Sequence, residues 1–186
     1  MPRVVTRHYR DPLETVWVEV ARRVGFEVRR SESCFASIDP AGIMILGAAD
    51  TLDADDCLAQ MIFHELCHSL VQGPEGLTLT DWGLDNETPR DVPREHATLR
   101  VQATLAGELG LRTVLAPTTD FRAFYDALGD DPLDGDPAEV ALARAALARV
   151  DLPPWGPHVR AGLVATSQIA NAVAPFGEAT SLLSRE

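Results

Sequence analysis

The chain has 186 residues and a formal net charge of −12, with 46% apolar and 24% charged residues. A chain of this length and composition can bury a hydrophobic core of its own, so we expect one globular domain. The acidic balance argues against binding to a phosphate backbone, which needs a basic surface, so we expect no nucleic-acid partner. No apolar run approaches the roughly 20 residues that cross a bilayer, so we expect no membrane-spanning segment.

The N-terminus and the cysteines bear on where the protein works. The basic N-terminal stretch is interrupted by charged residues and is not followed by the apolar core of a signal peptide. The three cysteines, Cys34, Cys57 and Cys67, lack CxxC spacing. We therefore expect a cytoplasmic protein with reduced thiols, and a Cys34–Cys57 disulfide is the alternative.

The first part of the chain predicts a helix followed by a small sheet. Residues 11–25 place apolar side chains at helical spacing and end in two arginines and Gly25, which are typical of a helix terminus. The segments FEVRRS, SCFASID and GIMILGA, between Phe26 and Ala48, predict three short strands. Asp39 to Gly42 supplies the turn between the last two strands. We expect the strands to form an antiparallel sheet.

The rest of the chain predicts helices. Residues 51–74 form the clearest one, with Asp53 as its N-cap and Gly73-Pro74 as its end. Residues 74–91 are rich in turn-forming residues and predict a long loop. Further helices are predicted within residues 92–110, 118–128, 136–150 and 157–173. The fold class is therefore α+β. We expect a single domain over residues 1–186, with the sheet and both central helices in 1–110 and a helical C-terminal subdomain in 111–186.

The helix predicted for residues 51–74 contains the sequence HELCH. Residues four apart on a helix share a face, so His64 and His68 can bind one metal ion through two neutral imidazoles. Glu65 is rotated by about 100° from His64, and its side chain can reach a metal-bound water without being a ligand. This HExxH pattern is typical of zinc enzymes in which the glutamate is the general base.

The apolar residues around HELCH predict that its helix is buried. Two buried histidines and a buried glutamate need partners, because unpaired polar groups are costly inside a protein, and a metal ion would satisfy all three. The alternative is a pair of hydrogen-bonded core histidines with Glu65 exposed. Cys67 points away from the histidine face, and Cys57 lies about 10 Å along the helix axis, so we expect neither to be a ligand.

On HELCH, the preceding sheet and the PREHATLR helix, residues 25–110 resemble the gluzincin class of zinc metallopeptidases, and most closely its minimal single-domain members. The resemblance implies a zincin-like fold, with the N-terminal helix and the small sheet packed on the HExxH helix. It implies a zinc ion held by His64 and His68, with Glu65 as the catalytic base. It also implies a third ligand from the downstream helix, where Glu95 takes the corresponding place.

The third ligand has an alternative in the neighbouring His96, which is also a competent metal ligand. Gluzincins often carry an aspartate four residues after their glutamate, and this chain has Leu99 there. We favour Glu95 because a glutamate is the commoner third ligand in this arrangement. Without a metal role, Glu95 is a carboxylate near a helix N-terminus, and His96 is a hydrogen-bond partner of a ligand.

Residues outside the motif are candidates for the cleft. Trp82, Asp85 and Asn86 lie between the two ligand helices and either line the cleft or form turns, and Asp85 is a candidate acceptor that orients a ligand histidine. The resemblance implies that GIMILGA borders the cleft and pairs with an extended substrate. Zinc peptidases usually stabilise the oxyanion with a Tyr, His or Arg, and the available candidates are Tyr125, His158 and Arg100.

These observations predict a zinc-dependent peptidase with Zn²⁺ as its cofactor and a peptide or protein as its substrate. Glu65 would accept a proton from the attacking water and pass it to the leaving amine. Two alternatives stay open. One is a zinc-stabilised binding or regulatory module without proteolytic activity, and the other is a hydrolase of a small non-peptide amide.

Overall fold

The computed structural model describes residues 4–85, 88–117 and 121–184, which form an α+β architecture of six helices and a three-stranded sheet. The strands are β1 (Glu27–Ser31), β2 (Ala36–Ile38) and β3 (Ile43–Gly47). The helices are α1 (Pro12–Val24), α2 (Leu58–Gly76), α3 (Val92–Gly107), α4 (Arg122–Asp126), α5 (Pro137–Leu147) and α6 (His158–Val173). Of the helix predicted at 118–128, the part at 118–120 lies outside the described residues.

α1 has clear signals at both ends. The Asp11 carboxylate caps its first turn by accepting hydrogen bonds from the backbone N–H groups of Leu13 and Glu14, at 2.8 and 3.2 Å. Gly25 ends the helix in the left-handed conformation, with φ of 117°, which costs a glycine little. Trp17 lies on its buried face and donates a hydrogen bond to Thr166 Oγ1 of α6 at 2.9 Å.

The sheet is mixed, so the predicted antiparallel sheet is wrong. The strand order is β1-β3-β2, with β3 antiparallel to β2 and parallel to β1. Met44 and Leu46 of β3 are fully buried, whereas the polar side chains of β1 are exposed or half-buried. The most apolar strand therefore takes the central place, where both of its edges are paired, and β1 and β2 are the edge strands.

α2 lies at the centre of the molecule and packs against α1, α3 and α5. Its N-cap is Cys57 and not Asp53, so that prediction is wrong. The reason is a capping interaction in which Gln60 Oε1 accepts a hydrogen bond from the Cys57 N–H at 2.6 Å. As predicted, the regular helix breaks at Gly73, where φ is 72°. None of the described helices is long and apolar enough to cross a membrane.

The described residues form a main hydrophobic core, with buried side chains from α1, the sheet, α2, α3, α5 and α6, and a smaller cluster between α3 and α4 that includes Leu99 and Tyr125. Trp155, which precedes α6, donates a hydrogen bond to Ser69 Oγ of α2 at 2.8 Å. The C-terminal helices thus pack directly on the N-terminal part. The division of the chain at residue 110 stays a prediction.

Candidate metal centre

The two histidines of HELCH meet on the face of α2 that is turned towards α3. Both side chains are buried, and their Nε2 atoms lie 3.0 Å apart. α2 places them there because residues four apart in a helix lie one above the other. Burial and the neighbouring His64 lower the pKa of His68 to about 3. His68 is therefore neutral at neutral pH, which is the form that binds a metal ion.

α3 brings Glu95 to the same point. Its Oε2 atom lies 3.2 Å from His68 Nε2, and its Oε1 atom lies 3.5 Å from His64 Nε2. Possible ligand atoms of the three residues all lie within 4.8 Å of one another. Ligand atoms about 2.0–2.1 Å from a tetrahedral zinc ion stand roughly 3.3 Å apart. The observed spacings bracket that value.

His96, the alternative third ligand, is turned away from this group. Its Nδ1 atom lies 2.7 Å from a carboxylate oxygen of Glu139 on α5, and its ring stacks on Phe124 with 3.7 Å between centroids. The same Glu139 carboxylate accepts hydrogen bonds from the buried Arg100. The structure thus brings Glu95 to the two histidines and places His96 in a separate cluster.

The hydrogen bonds at the Nδ1 atoms of His64 and His68 set the tautomers of both histidines. Gln102 donates through Nε2 to the Leu115 carbonyl, so its Oε1 atom, 2.8 Å from His64 Nδ1, is an acceptor. Thr98 donates its hydroxyl hydrogen to the Arg94 carbonyl, so its oxygen accepts from His68 Nδ1 at 3.2 Å. Both Nδ1 atoms therefore carry the hydrogen, and both Nε2 atoms present a lone pair.

Three electron-pair donors consequently face one another without a hydrogen between them. The two Nε2 atoms, each with a lone pair, lie 3.0 Å apart, and the buried Glu95 Oε1 atom accepts no hydrogen bond. Facing lone pairs repel, and an unpartnered buried carboxylate oxygen is costly. A metal cation at their centre would remove both penalties, so this donor set fits a divalent ion such as zinc.

Gln102 and Thr98, which orient the ligand histidines, were not predicted. Together with Glu95 they occupy positions i, i+3 and i+7 of α3, which is one face of a helix. A polar stripe at this spacing in an otherwise buried helix is a signal that the sequence contains. Asp85, a candidate for the cleft or for a turn, lines the cavity beside the site and also accepts hydrogen bonds from the backbone N–H and the hydroxyl of Thr88. Asn86 lies outside the described residues.

Glu65 is buried beside the histidines. The non-metal alternative required Glu65 to be exposed. Its Oε2 atom accepts a hydrogen bond of 2.7 Å from the indole N–H of Trp82. Trp82 therefore contacts the site by its hydrogen bond to Glu65 and does not line the cavity. The indole bond leaves Glu65 Oε1 as the second oxygen that can accept a proton.

His64, Glu65, His68 and Glu95 line a cavity of about 290 Å³. This volume is close to the lower end of the range for small-molecule sites. Phe35 and Ala36, at the start of the edge strand β2, form one side of it. The prediction that GIMILGA borders the cleft is therefore wrong, because that strand is the central β3. The remaining described apolar walls are Met61, Leu84, Val92, Pro117 and Phe121.

None of the three available candidates for the oxyanion donor lines this cavity. Tyr125 is buried and donates its hydroxyl hydrogen to the Arg112 carbonyl at 3.0 Å. Arg100 binds Glu139 and the carbonyls of Pro132 and Asp134. His158 begins α6 and lines a separate cavity with Val16 and Val20 of α1. All three side chains therefore make their contacts outside the cavity.

The cysteines are not part of the metal centre. All three are free thiols, so the alternative Cys34–Cys57 disulfide is absent from the structure. Cys67 is fully buried, and burial raises the pKa of its thiol well above the ordinary value. Cys57 lies at the N-cap of α2, where burial also raises its pKa. Such thiols remain protonated and are poor metal ligands.

Comparison of the chain with protein-family models, with curated proteins and with solved structures finds no match. What the chain does must therefore be argued from the geometry and chemistry of His64, Glu65, His68 and Glu95.

Proposed function

We propose that the chain is a zinc-dependent peptidase in which His64, His68 and Glu95 hold the metal and Glu65 is the general base. The observation that carries the proposal is the convergence of two imidazole lone pairs and an unpartnered carboxylate oxygen beside a cavity. Two histidines and one glutamate are the ligands of many catalytic zinc sites, with a fourth position left for water or substrate.

The arrangement of elements supports a zincin-like fold as part of this proposal. A sheet precedes the HExxH helix α2, and the downstream helix α3 carries the glutamate. The same three donors also suit ferrous iron, which proteins often bind through two histidines and a carboxylate. Glu65 favours hydrolysis, because a buried carboxylate directly after the first histidine is the base that a hydrolytic zinc site needs.

The chemistry divides between the metal and the side chains of this chain. A bound zinc ion supplies Lewis acidity, which makes water more acidic and a carbonyl more electrophilic. Glu65 Oε1 takes the proton from the attacking water and returns it to the amine of the leaving group. Gln102 and Thr98 hold the imidazoles with Nε2 towards the metal position. The apolar walls exclude bulk water and suit an apolar side chain of a peptide substrate.

The substitution Glu65→Gln tests the function. We expect the wild type with one bound zinc per chain to cleave members of a peptide library, and Glu65→Gln to keep the zinc but lose activity by about 10²–10⁴-fold, because it removes the general base. The matched control is Glu75→Gln, the same substitution at an exposed position of α2. It should retain full activity.

The combined results separate the candidate functions. Full activity in Glu65→Gln would exclude the mechanism, and iron in place of zinc on elemental analysis would exclude the cofactor. A zinc-bound wild type that cleaves no peptide would contradict the peptidase proposal and favour a metal-stabilised binding module.

A further inference from the structure

We infer that Trp82 positions Glu65 for catalysis, and that the turn formed by Asp81, Trp82 and Gly83, the 81–83 turn, is built to hold the indole in place. The inference rests on the proposed function and adds to it a positioning residue outside the HExxH motif. Its starting point is the 2.7 Å hydrogen bond from the Trp82 indole N–H to Glu65 Oε2, in which both partners are buried.

The 81–83 turn has an unusual backbone. Asp81, Trp82 and Gly83 have successive φ values of 46°, 60° and 75°. Asp81 and Trp82 are the non-glycine residues with positive φ within residues 4–85, 88–117 and 121–184. A bulky side chain rarely adopts this left-handed conformation, and such strain persists only where surrounding contacts enforce it. A Trp at the second position therefore needs an explanation that turn formation alone does not give.

Two sets of contacts hold the turn. Asp81 Oδ1 accepts hydrogen bonds of 2.9 Å from the hydroxyl of Ser37 and from the backbone N–H of Ile38, which fastens the turn to strand β2. The Trp82 ring packs edge-to-face on Phe26, with 5.3 Å between ring centroids. The Asp81 backbone and the Trp82 ring are thus both held by contacts that do not involve Glu65.

This support explains how a flexible side chain can serve as a base. Glutamate has three rotatable side-chain bonds, and a displacement of about 1 Å in a catalytic group can lower the rate about 100-fold. The indole holds Oε2, and this leaves Oε1 for the proton. Since Asp81 is bonded to β2, whose first residue Ala36 lines the cavity, the same turn links the base to the wall beside the substrate.

Trp82→Phe tests the inference, because it deletes the indole N–H and keeps an aromatic ring against Phe26. We expect kcat on a cleaved peptide to fall about 10–100-fold, with zinc content unchanged and KM within about threefold of the wild type. The matched control is Trp155→Phe. It removes an indole hydrogen bond of 2.8 Å from an equally buried tryptophan that contacts Ser69 and not Glu65.

The control separates positioning from folding. Trp155→Phe should lower the melting temperature about as much as Trp82→Phe and leave kcat unchanged. Wild-type kcat in Trp82→Phe would overturn the inference. So would equal losses of kcat in the two variants, since these would show that activity only follows stability.

The role of the turn has its own pair of variants. Asp81→Ala removes the contacts to β2 and should lower kcat as Trp82→Phe does. Asp81→Asn keeps an oxygen acceptor, and asparagine tolerates the left-handed conformation, so it should retain most of the activity. Wild-type kcat in Asp81→Ala would overturn the part of the inference that concerns the turn.

Nuclear magnetic resonance of the indole N–H groups tests the contact without any turnover. The chain has three tryptophans, and Trp→Phe variants assign their signals. Glu65→Gln replaces a charged acceptor by a neutral one, so it should shift the Trp82 signal and leave those of Trp17 and Trp155 in place. An unmoved Trp82 signal would overturn the inference even if the peptidase is active. A wild type that cleaves nothing would instead contradict the proposed function, whatever the indole signal shows.

Discussion

At the scale of single residues, the metal centre depends on groups that would not touch the metal. Gln102 and Thr98 orient the two ligand histidines, and each is itself oriented by a backbone carbonyl, of Leu115 and Arg94 respectively. Because each of these chains of hydrogen bonds has one direction, each histidine carries its hydrogen on Nδ1 and presents its Nε2 lone pair to the metal position. Removing one link should therefore change metal affinity without removing a ligand.

Gln102→Leu should weaken zinc binding by about 10–100-fold, which is the usual effect of losing a hydrogen-bond partner of a ligand histidine. The substitution frees the His64 ring to rotate and to change tautomer. A competition titration with a chelator of known affinity measures the loss. Ser69→Ala is the control, since Ser69 is a buried polar residue of α2 that contacts Trp155 and Leu66 instead of a ligand. Equal zinc affinity in Gln102→Leu and the wild type would contradict the assigned role.

At the scale of elements, α3 decides which of two adjacent residues reaches the metal. Adjacent helical residues are rotated by about 100°, and here Glu95 and His96 face different neighbours. Glu95 points to α2, and His96 points to Glu139 of α5 and stacks on Phe124. The face of α3 that packs on α2 therefore selects the third ligand.

Glu95→Gln should lose the stoichiometric zinc, and His96→Gln should retain it. The first replaces a charged donor at the centre by a neutral amide, whereas the second breaks only the contact with Glu139 and the ring stacking. Elemental analysis of both purified variants distinguishes the two ligands. Zinc lost from His96→Gln and kept in Glu95→Gln would reverse the assignment.

Local patterns were sufficient to predict most elements, but not how they are arranged. Helical periodicity and end signals predicted α1 and α3 to within about three residues and also the presence of α2, which begins only at Leu58, and apolar runs predicted the three strands. The direction and order of the strands were missed, because they depend on which strand is buried in the assembled sheet. Asp53 was predicted as the N-cap of α2 because aspartate is common at that position. The observed cap is the Cys57–Gln60 interaction, which the sequence did not suggest.

The residues of the candidate site could also be predicted from local patterns only in part. His64, Glu65 and His68 were predicted because one helical turn carries all three. Trp82 was singled out only as a cleft or turn residue. Its contact with Glu65 depends on left-handed backbone at Asp81 and Trp82, for which the sequence carries no ordinary signal. Contacts that join distant segments are set by tertiary packing, so local patterns do not predict them.

At the scale of the whole molecule, the donors come from two helices that the long 77–91 connection separates in sequence. A metal ion bound by both helices would crosslink the folded state and have no equally good site in the unfolded chain. Binding therefore adds to the free energy of unfolding. His64, His68 and Glu95 would therefore contribute both to the proposed chemistry and to the free energy of unfolding.

Zinc at about 100 times its dissociation constant should stabilise the fold by about 2.7 kcal/mol, which for a chain of this size raises the melting temperature by about 5–11 °C. Thermal unfolding with and without zinc measures the shift, and a chelator should reverse it. His64→Gln is the control, because a chain of net charge −12 can also attract cations to its acidic surface. An equal rise in His64→Gln would place the stabilising zinc on that surface and not between α2 and α3.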